Sequence, residues 1–412
     1  MPKRLLIVNP GHLANAPRVQ KEAAAAIKVG FEVSVRGVWW DERLAAEDIE
    51  LARRIGVDFA VVVDFRSVQS GRSLTRFKHR LAKEAFIKLG IFTPRLYGYA
   101  GPELLQVARM MAADITLGHS EVGMWVCHTL LTEGNVVGVD FDDWFSEDLP
   151  IADRVGRPVE KLQWLERVLL REARLTLTTT SVMAEAMALT AEAERIPLVI
   201  PNAFPATQAP TPEATPRDER CRNSLSLYWF SQTIGPARGL ETLAEALHGL
   251  KGEWQLHLRG ELRQNIEWFK STFSEDIRAR VILHASVSNA DLPAHTASHD
   301  LGLALELPIN PSRNLTATNK IFEYLRCGLA VLATNTKGQE EILAQCPDAG
   351  WVVPSGDVLV LRAAIQHCID HPEQVQRAKA LACRAGQTTW AWEPFGEKLG
   401  QALLRLAEHS NS

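Results

Sequence analysis

Asn314-Leu315-Thr316-Ala317-Thr318-Asn319-Lys320-Ile321-Phe322-Glu323-Tyr324-Leu325-Arg326-Cys327-Gly328 runs directly into Leu329-Ala330-Val331-Leu332-Ala333. Thr316 or Thr318 offers an N-cap and Gly328 a C′ stop, so a helix of about ten residues lies between them. The apolar run that follows reads as a short buried strand. At about 100° per residue, Ile321, Phe322 and Leu325 share one face of the helix, and Asn319, Lys320 and Glu323 share another. A helix N-terminus with a lysine in its first turn suits an anion such as a diphosphate. Glu323, one turn later, is an acceptor for a pair of sugar hydroxyls. The alternative is a surface helix with a solvated Lys320–Glu323 pair.

The same helix–strand alternation extends outward in both directions. Before the linker, strands are expected at 4–8, 31–35, 59–63, 114–117, 136–139, 175–179 and 198–200. After it they are expected at 225–230, 254–258, 281–283, 301–305, 330–333 and 351–353. Helical patterns lie between most of them, at 18–29, 160–174, 240–247 and 397–407 for example. Alternation of this kind implies parallel sheets covered by helices on both faces. Pro201, Pro205, Pro210, Pro212 and Pro216 interrupt the pattern among small and polar residues, and proline holds such a stretch extended. The expected organisation is therefore α/β: a first doubly wound domain over 1–200, joined by a terminal helix at about 388–412. A proline-rich linker over 201–221 follows it, and a second doubly wound domain covers 222–387. Two such domains facing across a cleft would bind ligands at the carboxyl ends of their strands.

The chain has 412 residues, 46% hydrophobic and 23% charged, with a net charge of −4. That is globular composition, and it excludes disordered and fibrous classes. The charge gives no general case for nucleic acid. No apolar run approaches a membrane span, and the N-terminus lacks a secretory pattern, so a cytoplasmic location is expected. Six cysteines without a CxxC pair read as free thiols. Neither a P-loop, a G-x-G-x-x-G turn nor a G-x-S-x-G elbow occurs.

Other candidate site residues follow from strand ends. The strand 225–230 runs into Ser231-Gln232-Thr233-Ile234-Gly235-Pro236-Ala237-Arg238-Gly239. There Gly235 permits a tight turn near a ligand, and Arg238 can clamp phosphate oxygens bidentately. Arg238 and Lys320 leave parallel strands of one sheet and should share a rim. In the first domain Gly11 and His12 follow the first strand, and His119 follows the strand ending at Leu117 within Gly118-His119-Ser120-Glu121. Histidines in such places are also commonly structural. Asp140-Phe141-Asp142-Asp143 could hold a divalent metal, but an acceptor contact or a structural role suits it better, and no metal is expected.

One segment departs from the overall charge. Residues 66–95 carry Arg66, Arg72, Arg76, Lys78, Arg80, Lys83, Lys88 and Arg95 against the single acid Glu84. Leu74, Phe77, Leu81, Ala85 and Ile87 give it an apolar stripe, so it reads as a basic amphipathic helix suited to an anionic membrane surface. The alternative packs that stripe onto the domain.

Thr318-Asn319-Lys320-Ile321-Phe322-Glu323-Tyr324-Leu325 with Gly328 resembles the donor-site helix of the family 4 glycosyltransferases, enzymes of the GT-B fold. Ile234-Gly235-Pro236 with Arg238-Gly239-Leu240-Glu241 is similar to that family's phosphate loop. Asp300-Leu301-Gly302-Leu303-Ala304 is similar to the strand before the donor helix. Pro17-Arg18-Val19 with Lys21-Glu22-Ala23, and the 140–147 segment, resemble its N-terminal domain. The resemblance spans essentially the whole chain. It implies a retaining, metal-independent, nucleotide-sugar-dependent hexosyltransferase without a cofactor, with a UDP-sugar donor first and a GDP-sugar second. The acceptor it implies is a growing polysaccharide or lipid-linked glycan, which would put the enzyme in polysaccharide biosynthesis, peripheral at the inner face of the membrane.

Carried over, Arg238 and Lys320 stabilise the leaving diphosphate, His119 lines the reacting sugar, and these three form the catalytic set. Gly11, Gly235, Asn314, Thr318, Asn319 and Glu323 join Arg238 and Lys320 in donor binding, with Glu323 on the ribose. His12, Glu121 and Asp142 lie on the acceptor side. The sequence departs from the family at Leu315, where a glutamate often stands eight residues before Glu323, at Gln232 in place of an arginine, and at Asp142 in place of a histidine. Asn314, Thr316 or Glu306 are the candidates to replace the lost glutamate. Two other readings share this architecture: a nucleotide-sugar 2-epimerase and a catalytically inactive nucleotide-sugar-binding subunit.

Overall fold

The computed structural model describes residues 2–66, 72–210 and 224–408. The chain forms two compact units. The first comprises Met1–Pro201 and Pro394–Ser412, the second Asn202–Glu393. Residues 211–221 of the expected linker lie outside the described residues. Residues 202–210 and 388–393 group with the second unit, where Phe204 bridges Ala391.

The first unit holds seven parallel strands: β1 (Arg4–Val8), β2 (Glu32–Trp39), β3 (Asp58–Asp64), β4 (Ile115–His119), β5 (Val137–Phe141), β6 (Leu175–Thr178) and β7 (Leu198–Val199). Their order is β3-β2-β1-β4-β5-β6-β7. Leu5, Leu6, Ile7 and Val8 are all buried, as a strand covered on both faces requires. The second unit holds β8 (Leu225–Thr233), β9 (Trp254–Glu261), β10 (Val281–His284), β11 (Leu301–Ala304), β12 (Ala330–Thr334) and β13 (Gly350–Val353). Their order is β10-β9-β8-β11-β12-β13, again all parallel. Each sheet reverses its winding once, between β1 and β4 and between β8 and β11. A ligand crevice opens at the carboxyl ends of the strands beside such a reversal.

The helix Asn319–Cys327 forms as the spacing predicts, with Gly328 left-handed at φ 69° to end it. Thr318 takes the N-cap position with extended backbone, but its side chain makes no capping bond. The structure rules out a surface helix here, because Lys320 through Cys327 are all buried. Glycines on both sides draw the neighbours in. A Cβ on Gly302 of β11 would collide with the Tyr324 ring, and one on Gly386 would stand 2.6 Å from the Arg326 backbone. Trp390 closes the remaining side, edge-on to Phe322 at 5.6 Å.

The basic helix spans Arg72–Leu89, and its apolar stripe is not packed onto the domain. Leu74, Phe77 and Leu81 are 56%, 57% and 51% exposed. Among the described residues, no helix is long and apolar enough to cross a membrane.

Candidate active site

The loops leaving β8 and β11 meet at the winding reversal of the second unit. Lys320, in the first turn of its helix, places Nζ 2.5 Å from Glu306 Oε1 and 5.6 Å from the centre of the Trp229 ring. Burial raises the proton affinity of Glu306, but Lys320, Arg313 and Arg238 outweigh it and hold the carboxyl below its usual range. Arg238 is half-buried and donates to Ser231 Oγ at 3.0 Å. Its own proton affinity is lowered by burial and by Arg313, with Glu306 opposing. Lys320 thus contacts a buried carboxylate that also feels the charge of two partly buried arginines. An incoming diphosphate can take the position of Glu306 against Lys320 and find both arginines within electrostatic reach.

The sequence places Arg238 and Lys320 on one rim, and the structure brings them together. Arg313 was not anticipated. It lies in the short helix Pro311–Leu315, capped by Asn310 accepting from Arg313 N at 2.8 Å, and the Asn310-Pro311 pair was the available signal. Glu306 stands where a substitute for the missing family glutamate was sought, though its partner is Lys320. Asn314 is committed elsewhere, accepting from Lys337 N at 3.2 Å. Asn319 is exposed beside the cluster. Gly235 is buried, and its missing Cβ makes room for Asn265, whose amide donates to Ile234 O at 2.9 Å.

Glu323 differs from the expected free acceptor. It is 1% exposed, Arg326 Nε donates to its Oε2 at 2.8 Å, and the Cys327 thiol contacts Oε1 at 3.5 Å. Burial raises its proton affinity and Arg326 pulls it back. The i,i+3 pairing on a buried helix leaves the carboxylate engaged by Arg326 and Cys327 instead of standing free at the surface.

The first unit holds a second charged cluster at its own winding reversal. Arg18 grips both oxygens of Asp140, with Nη2 to Oδ1 at 2.8 Å, and donates to Ile200 O at 2.6 Å. His119 ends β4 with Nε2 2.8 Å from Glu22 and Nδ1 3.5 Å from Asp140. Burial would lower the His119 pKa, but Glu22, Asp140 and Asp142 raise it to about 9. Burial likewise lifts Glu22 to about 7, against the pull of His119. Burial and Asp140 raise Asp142. Ligand-type atoms of Glu22, His119 and Asp140 lie within 4.8 Å of one another. Arg18 already supplies the positive charge there, so the donor set suits a guanidinium better than a metal ion.

His12, expected on the acceptor side, is buried and both of its ring nitrogens have protein partners. Its Nε2 accepts from the backbone N–H of Trp40 and Asp41 at 2.8 and 3.0 Å, which requires the proton on Nδ1, and that N–H donates to Asp48 at 2.8 Å. Neither ring nitrogen is left for a ligand. Glu121 is likewise taken, by Arg157. Gly11 keeps open space, since an added Cβ would meet only Asn9 Oδ1 at 4.0 Å.

With this geometry in view, the comparisons with known proteins are informative. Residues 226–371 match the family model of the group 1 glycosyl transferases. That segment contains every cation of the second-unit cluster together with Glu306 and Glu323. No curated protein matches the chain by sequence. Among solved structures, sucrose-phosphate synthase from Thermosynechococcus elongatus superposes with a TM-score of 0.71 at 16% identity, covering 99% of this chain and 100% of that one. Anabaena HepE, solved in complex with UDP and glucose, superposes with a TM-score of 0.69 at 15% identity, covering 98% and 100%. A Listeria monocytogenes protein described as a UDP-N-acetylglucosamine 2-epimerase gives 0.60 at 12% identity, covering 100% and 98%. Two Rossmann-like units with these neighbours make the fold GT-B, and the second unit holds the segment that matches the group 1 glycosyl transferases.

Proposed function

We propose that the chain is a retaining hexosyltransferase of the family 4 type, taking its sugar from a UDP-sugar. The observation that carries this reading is the charge of Lys320, Arg313 and Arg238 acting on Glu306 at the β8/β11 reversal. Breaking the glycosidic phosphate bond develops negative charge on the departing diphosphate, and fixed, desolvated cations stabilise that charge more than they stabilise the ground state. The reaction then needs no metal from the protein. UDP is favoured over GDP because HepE was solved with UDP. Titration calorimetry with UDP, GDP, CDP, ADP and dTDP on the wild type and on Lys320→Ala tests the reading. One nucleotide binding in the micromolar range and weakened by the substitution supports it, and silence from all five overturns it.

The acceptor reading is a polysaccharide or lipid-linked glycan reached from the inner face of an anionic membrane. The solvent-facing stripe Leu74, Phe77 and Leu81, flanked by Arg76, Lys78, Arg80 and Lys83, supports it, since such a helix lies in a lipid interface with its cations among the headgroups. Co-sedimentation with vesicles containing about one-third anionic lipid should be strong at low salt and fall steeply at high salt. No sedimentation at low salt ends the membrane reading. A 2-epimerase is the second reading, favoured by the Listeria neighbour. Turnover of the nucleotide sugar to its epimer without any acceptor would decide for it.

A further inference from the structure

The helix Pro17–Lys28 sends two charged side chains, Arg18 and Glu22, under the end of β4. They sit one turn apart, 3.4 Å from each other, and each has a further partner of its own. Arg18 serves Asp140 and the Ile200 carbonyl, whereas Glu22 faces His119 at 2.8 Å. The backbone holding His119 is tightly constrained. Ser120, the next residue, is left-handed at φ 63°, an uncommon conformation for a residue with a Cβ. A Cβ on Gly118 would collide with the backbone of Gly123, and one on Gly123 would stand 2.8 Å from Gly118 C. The strand thus turns into the helix Ser120–Thr132 through a sharp elbow, and His119 is its N-cap residue. Strain of this kind persists where the surroundings over-determine it, and it clusters at functional sites.

The geometry points to Glu22 as a positioning residue for His119, holding the ring at the elbow and neutralising its charge from below. The surroundings make that work necessary. A helix N-terminus carries partial positive charge and disfavours a cation on its cap. Burial disfavours it as well. The groups facing the ring are Glu22 and Arg18 from the helix Pro17–Lys28, and Asp140 and Asp142 from the end of β5 and the loop beyond. Asp140 is bound by Arg18 through both of its oxygens and stands 3.5 Å from the ring, whereas Glu22, 3.4 Å from Arg18, comes within 2.8 Å of it and is the closer of the two ion-pair partners. The raised proton affinity of His119 follows from this arrangement. The importance of the pair for turnover rests on the proposed role of His119 beside the reacting sugar, but the pairing itself does not.

The test follows the His119 imidazole by NMR in protein labelled at histidine Cε1, with the signal assigned by its absence from His119→Asn. In the wild type the ring should titrate well above the ordinary histidine value, near 9. Glu22→Gln should lower its proton affinity at least about tenfold, and Glu22→Asp should recover part of the loss. A wild-type ring that titrates at the ordinary value overturns the assignment, and this holds even if Glu22→Gln does not fold. An unmoved titration in a folded Glu22→Gln overturns it as well. Turnover is the separate arm, where Glu22→Gln should lower kcat with the donor KM nearly unchanged. A shifted titration with unchanged kcat supports the pairing and removes only His119 from the transfer reaction.

Discussion

Lys320 and Glu306 form an ion pair of 2.5 Å whose acid also feels the charge of Arg313 and Arg238, so the lysine is engaged by a carboxylate that a bound anion would have to displace. Removing either partner should therefore act in opposite directions on an anionic ligand. Lys320→Ala deletes one charge-assisted bond and leaves Glu306 facing the diphosphate, and UDP binding should weaken by about 10- to 100-fold. Glu306→Gln frees the lysine, and UDP should bind about 3- to 10-fold more tightly. Calorimetry on both variants and their combination gives the double-mutant cycle, with a coupling energy of about 1 kcal/mol or more expected. Additive effects would show that Lys320 and Glu306 act on UDP independently, and unchanged affinity in both single variants would place the pair outside the binding site.

Arg313 reaches the cluster from the short helix Pro311–Leu315, which the sequence did not single out. Arg313→Ala should weaken UDP about 3- to 10-fold, less than Lys320→Ala because Arg313 is less buried. The salt dependence of UDP binding, measured between 50 mM and 300 mM, should become shallower by the same substitution. These concentrations are about those at which screening begins to matter. An unchanged affinity and slope would remove Arg313 from the site.

His12 should matter for stability alone. His12→Ala leaves Asp48 without its imidazole partner and two backbone N–H groups, of Trp40 and Asp41, without an acceptor. Loss of about 2–4 kcal/mol in urea unfolding is expected, with UDP affinity of the folded variant unchanged. Lost UDP affinity in folded protein would return His12 to the list of functional groups.

Glu166 sets a pH dependence of the first unit. Burial lifts its carboxyl from 4.5 to about 7, although Ser146 N donates to Oε1 at 3.0 Å. The folded state therefore binds this proton more tightly than the unfolded chain does. Its contribution to stability is fully present below about pH 4.5 and is lost as pH rises through about 7, on the order of 3 kcal/mol in all. Glu166→Gln keeps the acceptor for Ser146 and removes the titration. Urea midpoints at pH 5.5 and 8 should diverge in the wild type more than in the variant. Equal divergence in both would assign the pH dependence to another group.

What the sequence disclosed follows from how many residues each inference needed. Strands buried on both faces declare themselves as local apolar runs, and β1 and β12 were legible for that reason. Arg238 and Lys320 were legible because both leave strand ends of one parallel sheet. Arg313 and Glu306 belong to the connection after β11, whose path decides what they meet, and no periodicity encodes that path. His12 also stands at a strand end, but its partner Asp48 comes from a helix 36 residues away. The sequence reading set Glu323 against Lys320 at i,i+3, whereas the structure pairs it with Arg326 one turn the other way. What was not visible was that Gly386 and Trp390 would close over the helix and leave that pair no solvent.

The second unit begins and ends at the same place in its own fold. Phe204 bridges Ala391 and accepts from Trp392 N at 3.0 Å, while Glu393 accepts from Ala206 N at 3.1 Å. Arg326 lies over the Phe204 ring at 3.8 Å. Its two ends are thus fastened together, as in a cassette threaded into a host. A gene encoding 202–393 alone would keep that clasp, the whole cation cluster and the six-stranded sheet. The cation cluster thus sits in a stretch of chain whose two ends are fastened to each other, so the tie between those ends stays within the unit that carries it.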